Sequence, residues 1–242
     1  KLEGGFMGKK VVPLDSVGVY SPGGTAAYPS SVLMGVIPAK TAGVPKIVLC
    51  TPCNEKKQCN PSVLVAADIA GADQIFKLGG AQAIAAMSIG TRTVPRVNKI
   101  VGPGNAFVTA GKLEAFYRGL AAIDCPAGPS EVLVIADDTA DAGFVAADLL
   151  AQAEHGTDSC AVFIATSPSL ADAVESELKK QALLMPRREI ALKSFENNGA
   201  ILLAKDLDEA IAFANEYAPE HLELCVERPV AWMQKVRNAG AV

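Results

Sequence analysis

Histidine is nearly missing from this chain: there are two in 242 residues, so any chemistry that needs an imidazole falls to His155 and His221. Aromatic residues make up 5% and Trp occurs once, which leaves any core to Ala, Val, Leu and Ile. A basic surplus is lacking too. Lys and Arg number 22 against 26 Asp and Glu, the net charge is −4, and the cations are scattered. No basic face is available to follow a phosphate backbone, which argues against a nucleic-acid partner. No apolar run approaches the roughly 20 residues that cross a bilayer, and the opening KLEGGFMGKK is too Gly-rich and polar for a secretory signal. No membrane partner is expected, and the expected location is cytoplasmic. The dinucleotide fingerprint G-x-G-x-x-G is also absent.

Cysteine is present but not patterned. Cys50, Cys53 and Cys59 contain one C-x-x-C, yet no second pair exists and Pro52 breaks the strand-to-helix setting of a redox motif, so coincidence is the better reading. Cys50, Cys160 and Cys225 sit in or beside apolar runs where a free thiol acts as a small hydrophobe. No disulfide framework is expected. The opening without Met and the ending NAGAV, where a strand is starting, read as a fragment of a longer chain.

Short β-branched runs alternate with Ala-rich segments of helical period, the pattern of parallel strands joined by crossover helices. Strands are expected near 17–20, 46–51, 74–77 and 98–101, then near 132–136, 160–165, 200–204 and 222–226. Helices are expected to open at Ser30, at Asn60-Pro61, near Asp141 and at Asp206, with Pro38 kinking the first and Gly156 capping the third. DCPAGPSE at 124–131, with two Pro and a Gly, is the natural seam. The expected fold is therefore α/β, in two related lobes facing each other across a cleft.

GPGN at 102–105 follows a strand and opens a helix, so it reads as a tight turn or as an anion seat. SPGG at 21–24 and LGGAQAIAA at 78–86 place further glycines after strands, and Gln82 reads first as a solvated helix residue. Gln152 and His155 share a helix end. On spacing they read first as a surface Gln and a His complementing the helix C-terminus, with a metal pair as the alternative, since Gln is a weak zinc ligand. In YAPEHLELCVERP, His221 stands at a strand entrance beside Glu220. The residues alone leave a backbone-satisfied scaffold His and a proton carrier both open.

VGVYSPGGTAAYPSSVLMGVIPAKTAGV, KLGGAQAIAA, VNKIVGPGN, DCPAGPSEVLVIAD, LLAQAEHG and NEYAPEHLEL together resemble the histidinol dehydrogenase family in order and near spacing, over essentially the whole chain. The resemblance implies two incomplete Rossmann-like lobes of mostly parallel sheets flanked by helices, similar to aldehyde dehydrogenases. It implies that residues 1–19 are a lead-in belonging with the second lobe, 20–128 an NAD-binding lobe, and 129–242 a catalytic lobe incomplete at its C-terminus. It further implies oxidation of L-histidinol to L-histidine by NAD through histidinaldehyde, the last step of histidine biosynthesis, in a homodimer with one zinc ion per site.

In this numbering, Gln152 and His155 would bind Zn2+, the other two ligands lying beyond residue 242. Glu220 and His221 would move protons, and Ser130, Gln152, His155 and His221 would contact substrate. Tyr20, Gln82 and Asn105 would contact NAD. Two rivals remain: an aldehyde dehydrogenase-like oxidoreductase with Cys125 or Cys160 as nucleophile, and a non-catalytic NAD-binding relative.

Overall fold

The computed structural model describes residues 7–23, 27–126, 128 and 130–242. The chain divides into two compact units, residues 1–128 and 129–242, and the division falls inside the 124–131 seam. Among the described residues no helix is long and apolar enough to cross a membrane.

The first unit runs β1 (Val17–Tyr20), α1 (Pro29–Thr41), β2 (Ile47–Thr51), α2 (Pro61–Ala70), β3 (Gln74–Lys77), α3 (Gly80–Ile89), β4 (Lys99–Val101), α4 (Ala106–Tyr117) and β5 (Ala122–Ile123). All the pairings are parallel, in the order β3-β2-β1-β4-β5. β1 and β2 are buried along their whole length, because helices cover both faces of the sheet and both faces of these strands must be apolar. α1 and α2 pack together over one face around Val32, Val36, Leu49 and Ala67. α3 and α4 pack together over the other around Ile84, Met87, Ile100 and Val108.

The second unit runs β6 (Glu131–Ala136), α5 (Ala142–Ala153), β7 (Cys160–Ala165), α6 (Pro168–Ala182), α7 (Arg188–Asn198), β8 (Ala200–Leu203), α8 (Leu207–Tyr217), β9 (His221–Cys225) and α9 (Pro229–Met233). Its parallel sheet has the order β8-β7-β6-β9. Phe163, wholly buried, packs with Val134, Leu149 and Val174 on one face, while Leu133, Ile135, Ile211 and Leu222 fill the other.

Local chemistry explains most boundaries. Asn60 accepts from Ser62 N at 3.0 Å, Asp141 from Gly143 N at 2.7 Å and Asp206 from Glu209 N at 2.8 Å, each satisfying an orphan donor at a helix start. Four expectations need correcting. The first helix opens at Pro29, not Ser30, with no side-chain cap, because proline's fixed φ suits a first helical position. Gly156 does not cap α5. The cap is Glu154, still right-handed at φ −73°, and His155 N closes on Gln152 O in a tightened last turn that needs no glycine. The first sheet has a fifth strand, β5, whose two residues are too few to show a period. Finally, Val17–Val19 pair with β2 and β4 at the centre of the first sheet, so this end of the 1–19 lead-in belongs with the first unit. Pro38 lies inside α1, which continues to Thr41. Lys1–Phe6, Gly24 of SPGG, and Ala127 and Pro129 of AGPSE lie outside the described residues.

Candidate functional sites in the two units

In the first unit the sheet's strand order reverses between β1 and β4, the crevice position where open parallel sheets bind ligands at their carboxyl edge. Three of the expected residues lie on elements that meet this edge. Tyr20 ends β1. Its ring is buried, and its hydroxyl accepts a hydrogen bond from Gly80 N at 3.0 Å. Gly80 has φ +68°, and the Gln82 side-chain oxygen Oε1 curls to 2.7 Å from where a Cβ would stand. Tyr20 and Gln82 therefore converge on the start of α3. Asn105 caps α4, its side-chain oxygen accepting from Val108 N at 3.1 Å, so a ligand would meet its amide N–H2. Two helix N-termini, with the positive ends of their dipoles, thus follow β3 and β4, an arrangement that suits an anion. A recess of about 740 Å³ opens at the carboxyl ends of β1, β2 and β3 and the start of α2, lined by Pro22, Gly23, Pro52, Asn54, Asn60 and Lys77 among others; Tyr20, Gln82 and Asn105 are not among its lining residues.

The second unit uses the opposite edge of its sheet. β6 and β9 are parallel neighbours with Val132 opposite His221, so Ser130 and Glu220, each just ahead of its strand, are brought together at the amino edge. Glu131 N donates to the Glu220 carboxylate at 3.1 Å. His221 Nδ1 lies 3.8 Å from the same oxygen, and both side chains are half exposed. That separation exceeds a hydrogen bond.

The end of α5 completes the arrangement. Asp148, Gln152 and His155 line a cleft of about 380 Å³ together with Val132, His221 and Glu223. Because α5 runs antiparallel to the strands, its carbonyl end and negative dipole face this edge, which suits cations. Gln152 Nε2 is buried with no hydrogen-bond partner, so its amide is free to turn its oxygen toward a cation. Ser130 is not among the residues lining the cleft; its carbonyl accepts from Cys160 N at 3.0 Å.

Two cleft residues were not singled out from the sequence. Glu223 is raised to about 6, first by burial and then by the charge and hydrogen bond of Asp148, against which a charged His221 acts. Both were findable: Glu223 is two residues past His221, on the same strand face, and Asp148 is one helical turn before Gln152.

The cysteines take no visible part. All six are free. Burial pushes the Cys50 thiol to about 12 and the Cys225 thiol to about 11. Cys160 donates to Asn198 O at 3.0 Å and lies 3.0 Å from the Tyr217 hydroxyl. Among the described residues no group of three His, Cys, Asp or Glu is gathered as a metal site, so a metal at this edge would be held through Gln152 and His155 plus ligands from elsewhere.

Known proteins match this description. The family profile described as histidinol dehydrogenase covers residues 1–242. Histidinol dehydrogenases of Methanosarcina mazei and Methanopyrus kandleri are each 52% identical, over 99% and 100% of this chain but 54% and 56% of their own lengths. The chain thus spans about half the length of these relatives. The solved histidinol dehydrogenase of Elizabethkingia anophelis superposes with a TM-score of 0.89 at 46% identity, covering 96% of this chain and 53% of that one. An aldehyde dehydrogenase from Bacillus subtilis shares the fold alone, at 13% identity and a TM-score of 0.63 over 95% of this chain and 64% of its own. With the profile matched end to end and relatives 52% identical over essentially all of it, the chain belongs to the histidinol dehydrogenase family.

Proposed function

We propose that the intact protein oxidises L-histidinol to L-histidine in two NAD-dependent steps, with this chain supplying the dinucleotide seat and the proton-handling residues. The observation that carries the reading is the cleft in which His221, next to a backbone-anchored Glu220, faces the end of α5 with Gln152 and His155. NAD supplies a hydride acceptor when bound. His221 takes the hydroxyl proton as the carbon is oxidised, which lowers the cost of the developing alkoxide. Glu220, held by Glu131 N, takes a proton from the water that hydrates the aldehyde, so that the second oxidation starts from a diol.

Gln152 and His155 fit a metal ion: one offers an amide with an uncommitted nitrogen, the other an imidazole, on one helix end with a negative dipole. Zinc held there would orient the substrate's amine and imidazole and polarise its oxygen. Tyr20, Gln82 and Asn105 would meet NAD at the first unit's carboxyl edge. Ser130, beside the residue that anchors Glu220, would touch substrate.

The test is a His221→Asn variant of the intact protein. A loss of histidinol-dependent NADH formation of about 10²-fold or more is expected with the fold retained. Turnover near wild type would overturn the proton role. A Cys nucleophile, by contrast, predicts inactivation by a thiol reagent, and the environment of Cys160 argues against it, since its thiol is already donating to a carbonyl.

A further inference from the structure

The turn that opens α4 is held from behind by charges that the reading above leaves unused. Gly102 has φ +117°, and a Cβ there would lie 2.1 Å from the Tyr20 carbonyl oxygen. Its carbonyl accepts from Lys112 Nζ at 3.0 Å, and its N–H donates to Asp124 Oδ2 at 2.8 Å. The other Asp124 oxygen pairs with Lys112 Nζ. Both backbone polar groups of one glycine are thus gripped by an ion pair, one member on α4 and the other just after β5. The Lys112 side chain is 3% exposed.

A buried ammonium is an expensive way to stabilise a fold, since desolvation offsets most of the Coulomb gain. A neutral side chain would satisfy one carbonyl at less cost. What the pair adds is geometry: two opposite charges fix the two peptide planes that meet at the Gly102 Cα, and so aim Gly104, Asn105 and the first turn of α4.

We propose that Lys112 and Asp124 are positioning residues for the dinucleotide, locking the two peptides that meet at Gly102 so that the 102–105 turn presents its donors to the cofactor's phosphates in a fixed arrangement. The inference rests on the dinucleotide reading of the first unit. Burial works to raise the Asp124 carboxyl, and the bonds from Lys112, Gly102 N and Cys125 N outweigh it, holding the group below the usual carboxylate range. Asp124 is therefore ionised at neutral pH.

The experiment uses the intact protein with Lys112→Met and, because a buried lysine is a risk to folding, Asp124→Asn, which keeps an acceptor for Gly102 N. NAD affinity is measured by calorimetry, KM and kcat for each substrate separately, and hydrogen exchange over residues 102–107. The expected result is faster exchange at 102–107 and an NAD affinity weakened by about tenfold or more. KM for NAD should rise in step, while KM for L-histidinol at saturating NAD changes less than about twofold.

Wild-type exchange in the folded variants, or fast exchange with unchanged NAD affinity, overturns the clamp alone. Equal losses in both KM values overturn it as well, since they mark a general structural defect. A wild-type protein that binds no NAD overturns the dinucleotide reading and the clamp with it.

Discussion

The Glu220 carboxylate accepts a hydrogen bond at 3.1 Å from the backbone N–H of Glu131, 89 residues earlier in the chain. The contact exists because β6 and β9 are adjacent and parallel, with Val132 opposite His221. It holds one carboxylate oxygen in place. Glu220→Gln retains an acceptor for Glu131 N, so the fold should survive with a melting temperature within a few degrees. In single-turnover kinetics the release of the second NADH should slow by about 10²-fold or more, with the first much less affected. Equal loss of both phases would place Glu220 in binding and remove its assigned role on water.

Metal content gives a readout that does not depend on turnover. Gln152→Ala and His155→Ala in the intact protein should each lower zinc retained after dialysis, by about 10-fold or more in affinity, because each removes a donor from the end of α5. Elemental analysis showing full zinc in both variants would mean that the buried Gln152 nitrogen marks something other than a metal pair.

Glu223 carries a pH signature whose sign is fixed by its direction of shift. Its folded value, about 6, stands above the ordinary 4.5 because of burial and Asp148, so between these values the folded chain binds more protons than the unfolded one. Stability therefore falls as pH rises through that window, and the penalty is complete above about 6. Partial exposure keeps it modest. Glu223→Gln should raise the melting temperature by a few degrees at pH 7–8, and the gain should vanish below about pH 4.5. A constant gain at every pH would show that it comes from packing and not from ionisation.

Gly102 tests how rigid the 102–105 turn is. Gly102→Ala puts a methyl 2.1 Å from the Tyr20 carbonyl at φ +117°, a clash with backbone that no rotamer relieves. A loss of more than about 2 kcal/mol is expected in denaturant titration. A wild-type midpoint would mean that the 102–105 turn shifts freely, which would also weaken the case for the Lys112–Asp124 grip.

Much of the fold was legible because strand burial and helix capping are local. Runs such as VLVIA and CAVFIA are apolar on both faces, which only an internal strand of a covered sheet requires, and Asn60, Asp141 and Asp206 announce helix starts by side-chain chemistry alone. β5 and the true end of α5 escaped for local reasons too: two residues carry no period, and a helix that closes by a tightened last turn gives no glycine signal. The site was less legible. Gln152 and His155 were nameable only through family motifs, since two residues three apart at a helix end carry no ligand signature. Asp148 and Glu223 carry no motif at all.

The amino-acid order was sufficient for the alternating elements, the seam near residue 128 and the short list of chemically able side chains, because propensity, capping and periodicity act over a few residues. It could not say at which edge of each sheet those side chains would gather. Parallel pairing across 89 residues set Glu220 against Glu131 at the amino edge, beneath a helix carbonyl end that favours cations. Strand order put Tyr20, Gln82 and Asn105 at the carboxyl edge, among helix N-termini that favour anions. Strand neighbours and helix direction are properties of the folded sheet, and the sign of the charge each edge can hold follows from them.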